Sequence, residues 1–106
     1  MTMLTLQIED TRTGLVENRT LGDWLEHVSA GVSIGSAEDC TVRLVAQGIA
    51  SHHARYYGLS NHRFLDVLDE DAEVHFLTQS VRRGVSKRVD YLPFTIGPYT
   101  LRFGEK

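Results

Sequence analysis

The sequence predicts an all-β fold, an antiparallel β-sandwich of many short strands. Apolar and polar side chains alternate over short runs such as Leu4-Thr5-Leu6-Gln7-Ile8 and Thr41-Val42-Arg43-Leu44, the period of a half-buried strand. Turn formers such as Thr13-Gly14, Gly58-Leu59-Ser60-Asn61 and Gly97-Pro98 separate these runs, as expected between strands of a sandwich. No stretch carries the long apolar stripe of an amphipathic helix. The chain has 106 residues, enough for one core and too few for two, so residues 1–106 form a single domain.

Leu4, Leu6 and Ile8 share one face of the first strand, which ends at Glu9-Asp10. After the turn at Thr13-Gly14, residues 15–21 return beside it as the second arm of a hairpin. Trp24, Leu25 and Val28 then sit at helical spacing behind Asp23, a residue suited to capping, but Gly31 follows closely. One turn or an irregular excursion is predicted there, with Trp24 packed on the sandwich. Strands follow over 32–34, 41–45 and 54–57, then 63–68 and 74–77. Val81, Val85 and Val89 flank Gly84, so 81–89 is expected to be a hairpin whose outward face carries Arg82, Arg83, Lys87 and Arg88. The last strands, 94–96 and 100–103, join at Gly97-Pro98.

Composition narrows the function classes. Hydrophobic residues make up 42% and charged residues 24%, values of an ordinary globular domain. A net charge of −3 supplies no global basic field for nucleic acid. Cys40 is the only cysteine, so no internal disulfide forms and a reducing compartment is natural. No apolar run approaches membrane-spanning length, and residues 1–10 lack the basic start and cleavage region of a leader. A cytoplasmic domain without direct membrane insertion is expected.

The most informative stretch is Val32-Ser33-Ile34-Gly35, followed by Cys40-Thr41-Val42-Arg43-Leu44, His53-Ala54 and the terminal Phe94-Thr95-Ile96-Gly97-Pro98-Tyr99-Thr100-Leu101-Arg102-Phe103. In order and spacing these segments resemble the forkhead-associated (FHA) domain over most of the chain. The resemblance implies an FHA/SMAD-like β-sandwich used for protein–protein interaction in signalling or assembly. It also implies a histidine at His53 whose ring holds neighbouring loops by bonding their backbone. FHA domains are often modules, so it is equally compatible with a piece of a larger protein. Divergent members occur as scaffold pieces of bacterial secretion machines.

Where typical members hold phosphothreonine, this sequence departs from the pattern. The arginine after the glycine is Ser36, the serine three before the histidine is Ala50, and the basic residue after that serine is Ser51. The expected Ser-x-Asn-Gly-Thr loop falls on Asp69-Glu70-Asp71-Ala72-Glu73, which has neither asparagine nor glycine. A phosphothreonine carries close to two negative charges and needs cationic, hydroxyl or backbone donors. Ser36 and Ser51 keep hydroxyls, but the acidic loop repels the ligand. The candidate binding edge therefore comprises Gly35, Ser36, Ser51, His52, Asp69 and Asp71, with His53 structural within it. Arg82, Arg83, Lys87 and Arg88 form an alternative basic patch, suited to pairing with the acidic loop of another copy.

Other chemistries have only the letters. His52 and His53 are adjacent on an extended segment and point to opposite faces, and with His62 and His75 they match no metal-ligand spacing. Ser51, His52, Asp39 and Asp69 include the residue types of a hydrolase triad, without a nucleophile elbow or an oxyanion loop. The acidic loop lacks the glycine and ligand spacing of a calcium loop. The expected function is thus a non-catalytic, phosphothreonine-independent interaction or scaffolding module, with no cofactor or metal, whose partner is a protein or peptide. The alternative is a phosphothreonine reader that uses Ser36, Ser51, backbone near Gly35 and one of Arg43, Arg55 or the 82–88 cluster.

Overall fold

Two sheets form the sandwich in a computed structural model that describes residues 2–59, 62–76, 79–84 and 86–106. The first sheet has six strands, ordered β2 (Leu15–Asp23), β1 (Met3–Asp10), β11 (Tyr99–Glu105), β10 (Phe94–Ile96), β7 (Val74–His75) and β8 (Ser80–Val81). The second has five, ordered β4 (Val42–Arg43), β3 (Val32–Gly35), β5 (Ala54–Leu59), β6 (His62–Val67) and β9 (Ser86–Arg88).

Strand alternation builds the core directly. Leu4, Leu6 and Ile8 point inward from β1, Leu101 and Phe103 from β11, and Phe94 and Ile96 from β10. They meet Val32, Ile34, Ala54, Tyr56, Leu65 and Val67 from the facing sheet. At the centre the Tyr56 and Phe103 rings stack with centroids 3.9 Å apart and planes 6° from parallel. Burial raises the Tyr56 phenol's pKa, and its hydroxyl donates to the Asp90 carbonyl at 3.1 Å.

Four elements differ from expectation. Residues 24–30 form a helix, α1 (Trp24–Ala30), rather than a single turn. Asp23 Oδ1 accepts from the Glu26 N–H at 3.0 Å, Val28 is buried, and Gly31 at φ 90° stops the helix. This cap and one apolar anchor stabilise a helix too short to persist alone. Strand β4 runs parallel to β3, with Ile34 opposite Val42, so the sandwich is not wholly antiparallel. The third difference is at 81–89, which is not a hairpin. Val81 pairs with Val74 in the first sheet, whereas β9 pairs with β6 in the second, so the chain crosses between sheets through Gly84 at φ 93°. Val81 and Val89 are both buried, and burying them against opposite layers favours the crossing over a local hairpin. Val85 lies outside the described residues. The fourth is strand length: 41–45 contracts to Val42–Arg43 and 74–77 to Val74–His75, with residue 77 outside the described set.

Candidate functional site

Three loops meet at one end of the sandwich, where β3 ends and β5 begins. The crossing is tightest at Gly35, where a Cβ would lie 2.2 Å from the Ser51 carbonyl oxygen. Only glycine permits this approach. Backbone hydrogen bonds then join the loops: Ser36 N–H to Ala50 C=O at 3.0 Å, Ala37 N–H to Ser51 C=O at 3.1 Å, and His53 N–H to Ile34 C=O at 2.9 Å. The amides after Gly35 are therefore committed within the protein.

His53 is buried and ties two loops together. The Ala50 N–H donates to its Nδ1 at 3.2 Å, and its Nε2 bonds the Glu73 carbonyl at 2.8 Å. These partners fix the neutral tautomer that carries its proton on Nε2. His53→Ala would leave a buried N–H and a carbonyl unpartnered, and is expected to cost about 2 kcal/mol. Urea denaturation measures that loss, and amide exchange should accelerate at Ala50 and in 69–73 while the strands stay protected.

Cys40 lies beneath the same crossing, its thiol donating to the Ser51 carbonyl at 3.2 Å. Burial, with a smaller contribution from the Asp39 charge, pushes the thiol pKa up, which keeps it protonated and unreactive. His52 Nε2 lies 3.1 Å from Asp39 Oδ1, an exposed pair bridging the first two loops. Asp39, Cys40 and His52 thus place three potential ligand atoms within 4.8 Å of one another. The spacing rules missed this cluster because Asp39 and Cys40 come from a different loop than His52. A closed zinc site uses four ligands.

The acidic and basic segments meet each other. Arg82 pairs with Glu73, and Arg83 Nη1 lies 2.7 Å from Glu70 Oε1. Arg88 pairs with Asp90 at 2.8 Å, and Lys87 Nζ sits 5.7 Å from the Phe76 ring centroid. The basic residues do not form one outward face. Asp69 and Asp71 take part in no ion pair among the described residues. Asp69 Oδ1 caps the local turn by accepting from the Asp71 N–H at 2.9 Å. A cleft of about 270 Å³ lies between the loops, lined by Gly48, Ile49, Ala50, Asp69, Asp71 and Ala72. Of the cations considered for a phosphate, Arg43 is at this edge, its Nε donating to the Ser36 carbonyl at 3.0 Å. Arg55, opposite Ser33 near the start of β5, turns its side chain away from the edge, against Gly31 and 4.8 Å from the Tyr57 ring centroid.

This architecture recurs in solved structures. The chain superimposes over its whole length on the Slr1951 protein from Synechocystis sp., covering 98% of that chain, with a TM-score of 0.70 and 15% identity. The FHA domain of FhaA, complexed with the intracellular domain of Rv3910, matches with a TM-score of 0.68 and 17% identity over 95% of this chain and 99% of that one. The fold is that of the forkhead-associated domain. A third FHA-fold match, Mycobacterium tuberculosis EmbR in complex with a low-affinity phosphopeptide, has a TM-score of 0.64 and 17% identity over 93% of this chain and 24% of that one. No protein-family model and no curated sequence relative matches the chain. Within the FHA fold, the loops described above occupy one end of the sandwich, and α1 with the Leu59 and His62 ends of β5 and β6 the other.

Proposed function

We propose that the chain is a non-catalytic interaction module that binds a protein or peptide at the loop edge without reading phosphothreonine. The observation that carries this is the charge of the cleft, where the unpaired Asp69 and Asp71 flank Ile49 and no cation lines the wall. Such a cleft suits a lysine or arginine side chain whose aliphatic stem covers Ile49. A non-catalytic role fits the histidines, since His53 is engaged with backbone at both nitrogens and His52 bonds Asp39. Self-association through opposite charges has less to draw on, because Arg82 and Arg83 already face Glu73 and Glu70 in the same chain. A bacterial cytoplasmic setting in signalling or assembly remains the expectation carried by the family resemblance. Among the described residues no helix is long and apolar enough to cross a membrane.

One observation favours the alternative. Arg43 lies beside Ser36 at the rim, where it offers a charge-assisted donor to a phosphate together with the Ser36 and Ser51 hydroxyls. An amide NMR titration with a degenerate phosphothreonine peptide library, beside the same peptides unphosphorylated, separates the two. The proposed function predicts no phosphate-dependent shifts at 35–39, 50–53 or 69–73. Phosphate-dependent shifts confined to those segments, and abolished by Arg43→Gln and Ser51→Ala, would establish the reader instead.

A further inference from the structure

At the end of the sandwich remote from the loop edge, Arg63 points inward from β6, alternating with Leu65 and Val67, and is only 6% exposed. A buried guanidinium ordinarily faces a carboxylate, since its desolvation is costly unless an opposite charge compensates. Among the described residues Arg63 forms no ion pair. Its Nη1 donates to the His62 carbonyl at 3.0 Å, its guanidinium lies 3.9 Å from the Trp24 ring centroid, and its Nε is buried without a partner. The Trp24 indole nitrogen is a second buried donor without a well-formed hydrogen bond, the Tyr91 hydroxyl being its nearest polar neighbour. Cation–π stacking offsets part of the desolvation but satisfies no N–H.

This cation borders a cleft of about 270 Å³ lined by Trp24, Leu25, Val28, Ser29, Gly58, Leu59 and Arg63. Leu25 and Leu59 are 64% and 61% exposed on its rim. Gly58 keeps the space open, because a Cβ there would lie 3.1 Å from Arg63 Nη1 and 3.2 Å from the Val28 Cβ. We propose that this cleft is a second docking site, taking a partner-protein segment whose aspartate or glutamate side chain meets Arg63 between apolar neighbours seated on Leu25 and Leu59. One guanidinium matches a planar carboxylate with two parallel donors. The site goes beyond the loop edge and is separated from it by the six-residue length of β5, roughly 20 Å at the rise of a strand. One module can therefore hold two partners at once. A buried charge that forms no ion pair among the described residues is also where a sequence departs from the pattern that stability alone favours, as functional sites do.

The test is an amide NMR titration of the full chain with the acetylated, amidated peptide GSLDLSG beside its asparagine counterpart GSLNLSG. Shifts at residues 24–29, 58, 59 and 63 are expected with the aspartate peptide and not with the asparagine peptide. Arg63→Met should weaken binding at least tenfold while leaving the urea midpoint unchanged or higher, because it removes a buried charge that forms no ion pair among the described residues. Should Arg63→Met fail to fold, Leu25→Ser changes an exposed rim residue and is expected to weaken the same binding several-fold. Equal shifts from both peptides, no shifts at the cleft, or binding that survives both substitutions would overturn the proposal. So would movement of the same resonances on raising protein concentration alone, which identifies a second copy as the occupant.

Discussion

Phe103→Ala is expected to destabilise the domain by about 4 kcal/mol, the largest effect of any single truncation considered. Phe103 is fully buried on β11, stacked on Tyr56 from the opposing sheet and 6.1 Å from the Phe94 ring. Both neighbours project from paired strands, so neither can slide into the space, and the cavity persists. Domains of this size have total stabilities of about 5–15 kcal/mol, so the variant is expected to be largely unfolded or near its midpoint at physiological temperature. Urea denaturation followed by tryptophan fluorescence measures it, Trp24 being the only tryptophan. A loss below about 1.5 kcal/mol would show that the two sheets close over the cavity, and that the stack is not what joins them.

The layer that Phe103 anchors was legible in the sequence because its strands are long enough to show their period. Leu4, Leu6 and Ile8, and Leu101 with Phe103, alternate with polar residues, and the structure buries each of them. Short elements were less legible. Val42 and Val74 lie in two-residue strands whose partners are set by tertiary pairing, and a two-residue strand has no period to detect. The crossing at 81–89 was misjudged for a related reason: a valine at every fourth position around a glycine looks the same whether its two ends join one sheet or two. The helix at Trp24–Ala30 was underestimated because its stability comes from the Asp23 cap and from packing on β5 rather than from length.

At the loop edge, the sequence indicated which residues gather but not how their charges pair. Gly35, Ser36, Ser51, His52 and His53 lie on adjoining loops, and the Asp69–Ala72 turn closes the same cleft. Glu70 and Glu73 do not join a common acidic face, since each is bound by an arginine from the segment that crosses between the sheets. That pairing depends on the crossing, so it was invisible once 81–89 was read as a hairpin. Exposed pairs of this kind contribute about 0–1 kcal/mol each. Their consequence is the residual pattern, in which Asp69 and Asp71 are the acids of that turn without an ion pair among the described residues. Arg63 was missed in the opposite sense, because a charged residue at an inward position of β6 contradicts the alternation that identifies the strand.

Gly35→Ala carries the second large expected effect, about 3 kcal/mol of destabilisation. The added Cβ would lie 2.2 Å from the Ser51 carbonyl oxygen and 3.0 Å from the Ala50 carbonyl oxygen. Both obstacles are backbone, so no rotamer change relieves the clash, and the 50–53 loop must move away from β3. That movement stretches the Ser36–Ala50 and Ala37–Ser51 backbone bonds and takes the Cys40 thiol from its Ser51 acceptor. It also shifts His53, and through its bond to the Glu73 carbonyl the displacement reaches the acidic turn. Gly35→Ala is therefore expected to alter the geometry of all three loops from a position that presents no side chain to a partner. Amide shifts should spread over 35–40, 50–53 and 69–73 while α1 and Arg63 at the opposite end keep theirs. Any ligand of the Asp69–Asp71 cleft should then be lost while binding at the Arg63 cleft persists, a separation that Phe103→Ala, acting through the shared core, cannot give.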